Sequence, residues 1–420
     1  MFRKSTFLCI GMLIALLGNA QTSCQKSVHL NSVIQSLIER AQNLAPEQRH
    51  TLAQEILREY PLPFFHLSSS GQSCIVQLDV KPTCAAYQST TGMFALYSRD
   101  TSTLTILADD YSCEFPITDP IDAMAWYSPE RLWIKTGNEI HVLDVVDKST
   151  LRRSHYEHAK IENAPNVHMS RNARGVLSQD LTDKEHTVFT LLCDCPDRND
   201  GVESSFKLKH ARAKVTCFAN DGQFEGYALF GDQDGSLALI NQEMPKMSYH
   251  IPAHRAAVVD CAVSADAKFI ASAGEDNYVN VYRLNNGVEE CIMSHEWDQP
   301  CLVRFNPRGN LLVIGTRTGQ MIMVDLDTYF FVKYQPYTVP LIEVGFSDDG
   351  MELVAFAQSN DAVVHSMRNI LNDIHDPLLM TAVIAYFNDP EKVLNSEKLL
   401  ASVTAHKENP LIADYFRDIL

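Results

Sequence analysis

Reactive chemistry needs particular residue types at particular spacings, and this chain offers a handful of such sets. His254, Ser272 and Asp276 supply the types of a base, a nucleophile and an orienting acid. Ser204 and Lys207 stand at the spacing of a Ser-Lys nucleophile pair, but the stretch around them is polar and has no helical pattern. Asp232-Gln233-Asp234-Gly235 opens like a calcium loop, yet the third ligand and the distal Glu are missing, and the same four residues make a hairpin turn. Cys193 and Cys195, with His186 and His210, could be drawn as zinc ligands. No second Cys pair supports a metal there, and a polar loop accounts for them. The chain carries no GxxxxGK[ST] phosphate cradle, no GxGxxG after a strand, no HExxH and no GxSxG elbow. On this reading no catalytic residue, metal or cofactor is expected.

The elements that hold these residues are repetitive. In the stretch AHRAAVVDCAVSADAKFIASAGEDNYVNVY, ending at Tyr282, three short apolar strands are separated by an ADAK turn and a GEDN turn. The apolar or aromatic residue before each first turn recurs as Tyr87, Trp126, Met169, Phe218, Val263, Phe305 and Phe346, with spacings of 39, 43, 49, 45, 42 and 41 residues. A period of about 40 to 45 residues with four short strands per unit is that of a propeller blade. The long third interval is assigned to a surface loop at CDCPDRNDGVESS.

This pattern resembles the WD-repeat family, in which a His precedes the first strand, a small hydroxyl residue lies in the second, an Asp in the next turn and a Trp closes the third. His254, Ser272, Asp276 and, at the Trp position, Tyr282 match it. The resemblance covers residues 74–367 or thereabouts and implies a mainly β fold, a seven-bladed WD-repeat-type β-propeller. It also implies that His254, Ser272, Asp276 and Tyr282 form a structural hydrogen-bond network and not a catalytic triad.

The domains expected are a signal peptide over 1–20, a helical hairpin over 21–67, the propeller over 68–367 and a helical extension over 368–420. Segment CIVQLDVKPTCAAY at 74 matches CIMSHEWDQPCLVRF at 291 almost position for position. A strand at 74–79 should therefore close the seventh blade, whose own run stops after a third strand. Leu30, Val33, Ile34, Leu37, Ile38 and Ala41 follow a helical stripe, and Asp376-Pro377, Asp389-Pro390 and Asn409-Pro410 each pair an N-cap residue with Pro at the first helical position. These ends are expected to pack on each other and on one side of the ring.

Arg3 and Lys4, an apolar run from Phe7 to Leu17 and Gly18-Asn19-Ala20 read as a cleavable signal, too short to span a bilayer. None of the 22 Asn residues starts an Asn-x-Ser/Thr site, which leans toward a bacterial source. A secreted or periplasmic protein, without a membrane span once cleaved, is the expectation. With 35 Lys plus Arg against 52 Asp plus Glu, a net charge of -17, duplex nucleic acid and anionic membranes are poor partners.

The function expected is a non-catalytic protein-protein interaction scaffold. Its partner would sit on the face that receives the turns entering the blades, where Arg212, Arg255, Trp297 and Tyr337 offer contact energy. The alternative is an exported propeller enzyme or small-ligand binder, lactonase-like or quinoprotein-like, with a metal or cofactor in the channel. Asp260, Glu343 and His168 are its candidates.

Overall fold

The computed structural model describes residues 34–41, 52, 65–67, 73–108, 111–147, 150–155, 167–170, 175–180, 187–193, 202–208, 213–220, 227–241, 248–285, 288–326, 331–350, 352–366, 376–388, 391–408 and 410–420. They divide into two compact units, Phe64–Ile370 and a second made of Met1–Pro63 with Leu371–Leu420.

The larger unit holds seven sheets among the described residues. Five take their four strands in chain order, as in β3 (Cys84–Gln88), β4 (Met93–Ser98), β5 (Thr103–Ala108) and β6 (Tyr111–Pro116). The strands are short, antiparallel and joined by tight turns, the construction of a propeller blade. Blade five runs β19 (Val258–Val263), β20 (Phe269–Gly274), β21 (Tyr278–Asn285) and β22 (Val288–Glu296). Blade seven is composite: β27 (Leu341–Phe346), β28 (Glu352–Ala357) and β29 (Asp361–Ser366) are followed in space by β2 (Ser73–Gln77), antiparallel to β29 from Ser73 opposite His365 to Gln77 opposite Asp361. Blade six gains a fifth strand, because β1 (Phe65–Leu67) runs parallel to β26 (Phe331–Tyr334).

Second strands are buried on both sides, between neighbouring blades, so their sequences are continuous apolar runs and not alternating ones. Leu311–Thr316 (LLVIGT) and Phe269–Gly274 (FIASAG) are buried at every position. Close packing between blades also selects glycines. A Cβ on Gly345 would stand 2.5 Å from that of Tyr87 in blade one, and a Cβ on Gly231 in blade four 2.5 Å from that of Val258 in blade five.

The register corrects two details of the repeat. Asn220 pairs with Ala228 as Val263 does with Ile270, Phe305 with Leu312 and Phe346 with Leu353, so the repeating position in blade four is Asn220, two residues after Phe218. Part of CDCPDRNDGVESS is strand and not loop, since the strand Val202–Leu208 starts within it and pairs Val202 with Cys193 at the end of the strand Thr187–Cys193.

In the smaller unit a helix over 34–41 buries Ile34, Leu37, Ile38 and Ala41 and exposes Gln35, Ser36, Glu39 and Arg40. Helix α1 (Pro377–Asn388) starts at Asp376, whose Oδ1 accepts from the Leu378 and Leu379 amides at 2.8 and 2.9 Å. Its residues from Leu379 to Ala385 are all buried, as in a central helix. Two short helices, α2 (Glu391–Leu394) and α4 (Pro410–Tyr415), flank α3 (Glu397–Ala405), which is capped by Ser396. The rings of Tyr386, Tyr415 and Phe416 pack edge-to-face or tilted, with centroids within 5.4 Å of one another. Among the described residues no helix is long and apolar enough to cross a membrane.

Candidate functional site: one face of the propeller and its channel

The turn between the second and third strands of a blade is tied by backbone bonds to the connections between blades. The Gln233 amide donates to Lys214 O at 3.0 Å, His254 to Gly235 O at 2.8 Å, Glu275 to Ala257 O at 2.9 Å, Trp297 to Asn277 O at 2.8 Å and Arg317 to Gln299 O at 2.9 Å. The connections and turns therefore form one continuous, hydrogen-bonded face. Asp232 serves it: its Oδ1 accepts from the Asp234 and Ser236 amides at 3.0 and 2.9 Å, so the carboxylate of the calcium-like sequence is engaged by its own turn.

His254, Ser272 and Asp276 come together. The ring Nδ1 lies 3.0 Å from Asp276 Oδ1 and Nε2 lies 2.7 Å from Ser272 Oγ, with Ser272 fully buried. Asp276 also accepts from the Arg255 amide at 2.9 Å and the Tyr278 amide at 3.1 Å. Burial pushes the His254 imidazole below its usual pKa, although Asp276 pulls it the other way; the two amide bonds and His254 hold Asp276 below the carboxylate norm against its own desolvation. This set joins the connection, the second strand and the turn of one blade. Its geometry leaves Ser272 buried beneath the histidine.

Asn280 belongs to the same set and sequence reasoning missed it. Its Nδ2 donates to Ala253 O at 2.7 Å and lies 3.5 Å from both ring nitrogens of His254. Tyr282 lies instead in the apolar packing between blades four and five, with Leu229, Ile270 and Cys261. Gly274 is a further requirement: a Cβ there would collide with His254 Nδ1 and with the Asp276 carboxylate. An Asn two residues before the closing aromatic and a Gly two before the Asp were the available signals.

Two of the three channel candidates, Asp260 and Glu343, are joined by a residue that the sequence reading did not weigh. Arg304 donates from Nε and Nη2 to Glu343 Oε1 and Oε2 at 2.6 and 3.1 Å, and from Nη1 to Asp260 Oδ2 at 2.5 Å. All three are less than a tenth exposed. Each innermost strand of blades four to seven has a bulge two residues in, which aligns Cys217, Asp260, Leu302 and Glu343. Asp260 and Glu343 thus flank blade six from equivalent positions, and Arg304 bridges them. The two carboxylates hold the guanidinium even more firmly protonated than usual, despite its burial. Cys301 beside them is pushed up to about 12 by burial and by Asp260, so it is a thiol and not a thiolate.

The proposed contact residues are corrected by burial. Trp297 is 4% exposed, lies 5.1 Å from Phe331 and 4.4 Å from His295 and is covered by Lys333 at 5.1 Å. Tyr337 is 5% exposed, and its hydroxyl donates to Ala355 O at 2.9 Å. Neither is available to a partner: both connections fold their aromatic ring inward, into the gap between blades. Arg255 is exposed, and Arg212 lies outside the described residues, as do His186, Cys195 and His210.

The family model described as WD domain, G-beta repeat matches residues 245–283, which contain the His254 set. Two solved structures share the architecture. The β-propeller domain of Myceliophteria thermophila Cps50 (Swd1) superposes with a TM-score of 0.52 at 12% identity, over 70% of this chain and 99% of that one. A chain of a mitotic checkpoint complex superposes at 0.53 and 13% identity, over 71% and 92%. The chain thus has the β-propeller fold, and the repeat that holds the His254 set is similar to the WD family model. Among curated proteins it is 28% identical over 131 residues to a BLOC-2 complex member HPS5 homolog of Drosophila melanogaster. That stretch is 30% of this chain and 15% of the relative's length.

These likenesses overturn the secreted or periplasmic destination, because they run to eukaryotic members of intracellular complexes. Residues 1–20, on which that expectation rested, lie outside the described residues. A short apolar run behind two basic residues is a weak address, since any buried segment has the same composition.

Proposed function

We propose that this chain is a non-catalytic protein-interaction scaffold whose partner docks on the face built by the inter-blade connections. The observation that carries the reading is the Arg304 bridge. The two acids best placed for chemistry in the channel, Asp260 and Glu343, are both spent on one guanidinium, and the third candidate, His168, sits apart on blade three. Ser272, the hydroxyl beside the His254–Asp276 pair, is buried. The face itself is rigid, hydrogen-bonded and charged, which suits a docking platform. WD-repeat propellers commonly take part in protein assemblies, and both complexes named above agree with that use.

The test is affinity capture with the wild type and with Arg255→Glu. The exposed Arg255 side chain sits on a backbone fixed by Asp276, so the variant should lose captured proteins while its melting temperature stays unchanged. An unaltered set of captured proteins would move the interface elsewhere. Turnover of a small substrate by the wild type that Asp260→Asn abolishes would return the enzyme reading.

A further inference from the structure

Each blade ends in a strand with one free edge, and among the described residues only the edge of blade six is covered. There β1 (Phe65–Leu67) lies along β26 (Phe331–Tyr334) as a fifth strand, whereas the other six sheets stop at four. Blade six is complete without it: β26 pairs on its other side with Met321–Asp325, from Phe331 opposite Val324 to Tyr334 opposite Met321. The ring is closed elsewhere, by β2 on β29. The fifth strand therefore does no work in the architecture of the propeller.

Its pairing is also slight. The ladder is parallel and three residues long, with Phe65 opposite Val332, His66 opposite Lys333 and Leu67 opposite Tyr334. Parallel pairing is a little weaker per residue than antiparallel pairing, and three residues supply few bonds. A tether compensates, because only residues 68–72 separate β1 from β2 on blade seven. A link of that length holds a strand near its edge at a roughly millimolar effective concentration. The edge also has a pattern. Val332 and Tyr334 are buried and Lys333 is half-buried, and β1 sets apolar residues in register with the first two and a polar residue with the third.

A free strand edge is a template for another chain, and addition of a strand is a general mode of binding extended peptides. We propose that β1 is a displaceable cover and that the outer edge of blade six accepts in its place an extended segment of a partner, parallel to β26 and carrying an apolar-polar-apolar triplet. The seated strand itself supplies the direction, the register and the pattern. This docking site lies on the outermost strand of a blade, apart from the connection face, and goes beyond the scaffold reading above. Because β1 competes from a tether, a partner's segment must add contacts beyond the triplet, so the edge stays closed to chance strands.

The test is hydrogen exchange of the full chain, read by mass spectrometry over residues 331–334, with a synthetic peptide of residues 62–70 as the probe. The double variant His66→Pro/Leu67→Pro has no amide to donate at either position. It should exchange the edge amides of β26 about tenfold faster than the wild type or more, at an unchanged melting temperature. Millimolar peptide should restore protection in the variant, and the same peptide with Phe65→Asp and Leu67→Asp should not. Equal exchange in wild type and variant would mean that β1 covers nothing, and a marked fall in melting temperature would make it a structural strand. Failure of the peptide to restore protection would mean that the edge takes no strand from another molecule. Each of these three results overturns the proposal. Protection in the variant that rises with protein concentration alone would give the edge to a second copy and overturn the partner. The connection face is tested separately by Arg255→Glu, whose outcome none of these results moves.

Discussion

Arg304 and Glu343 meet edge to edge, Nε and Nη2 on the two carboxylate oxygens, and the remaining arm of Arg304 reaches Asp260 on the adjacent innermost strand of blade five. Three consecutive blades are linked at their innermost strands through one buried cation. The Asp260 carboxylate adds a bond from the Val303 amide at 3.0 Å, so backbone and side chain of blade six are both held.

Removing only the cation should therefore be costly. Arg304→Met leaves two buried carboxylates facing each other, and loss of one partner from such a set costs about 3–5 kcal/mol. Urea unfolding should show that drop. The triple variant with Asp260→Asn and Glu343→Gln as well should recover most of it, since no uncompensated charge stays buried. Arg304→Met at wild-type stability would mean that the three groups are solvated in practice.

The His254 set makes a second, steric prediction. Gly274→Ala drives a methyl into His254 and Asp276 and should destabilise more than Asn280→Ala, which leaves the Ala253 carbonyl without its donor at about 1–3 kcal/mol. Thermal melts of the two variants rank them. The opposite order would place the weight of the set on Asn280.

What the sequence showed and what it hid follow from locality. The blade period was readable because each blade spends its apolar residues in the same order, and CIVQLDVKPTCAAY resembles CIMSHEWDQPCLVRF because each is an outermost strand, a connection and an innermost strand. His254, Ser272 and Asp276 lie within one repeat, so spacing alone gathers them. Arg304, Asp260 and Glu343 lie in three different repeats, and only the ring brings them together. Trp297 and Tyr337 were misjudged because a residue in a connection reads as exposed, whereas each ring turns inward to fill the space between blades. Gln179, whose Nε2 donates to Ala213 O at 2.7 Å and whose Oε1 accepts from the Val215 amide at 2.9 Å, ties blade three to the entry of blade four with no local signature at all.

Histidine burial gives the pH dependence. The folded state holds His168 at about 4, below the ordinary value of 6.5, and lowers His254 as well. Protonation thus favours the unfolded chain: this part of the stability is complete above pH 6.5 and is lost as pH falls from there toward 4. Asp276 and Asp266 are lowered below 3.8, so their contribution is lost only at still lower pH. Urea midpoints should decline between pH 6.5 and 4, and His168→Gln should flatten that decline. An equal slope in wild type and variant would show that His168 is solvated.

The two buried aromatics should behave as core residues. Trp297 packs between blades five and six against Phe331, Val303 and Ile322, and truncation of a large buried aromatic costs about 3–5 kcal/mol. Trp297→Ala should lower the melting temperature markedly, and Trp297→Phe, which keeps most of the volume, should lower it less. Tyr337→Phe removes the hydroxyl that donates to Ala355 O at 2.9 Å and should cost about 1 kcal/mol. Partner capture by Tyr337→Phe, measured well below its melting temperature, should match the wild type, because the ring never reaches the surface. A variant that kept its melting temperature but lost its partner would restore Tyr337 as a contact residue and require the connection at 335–340 to open on binding.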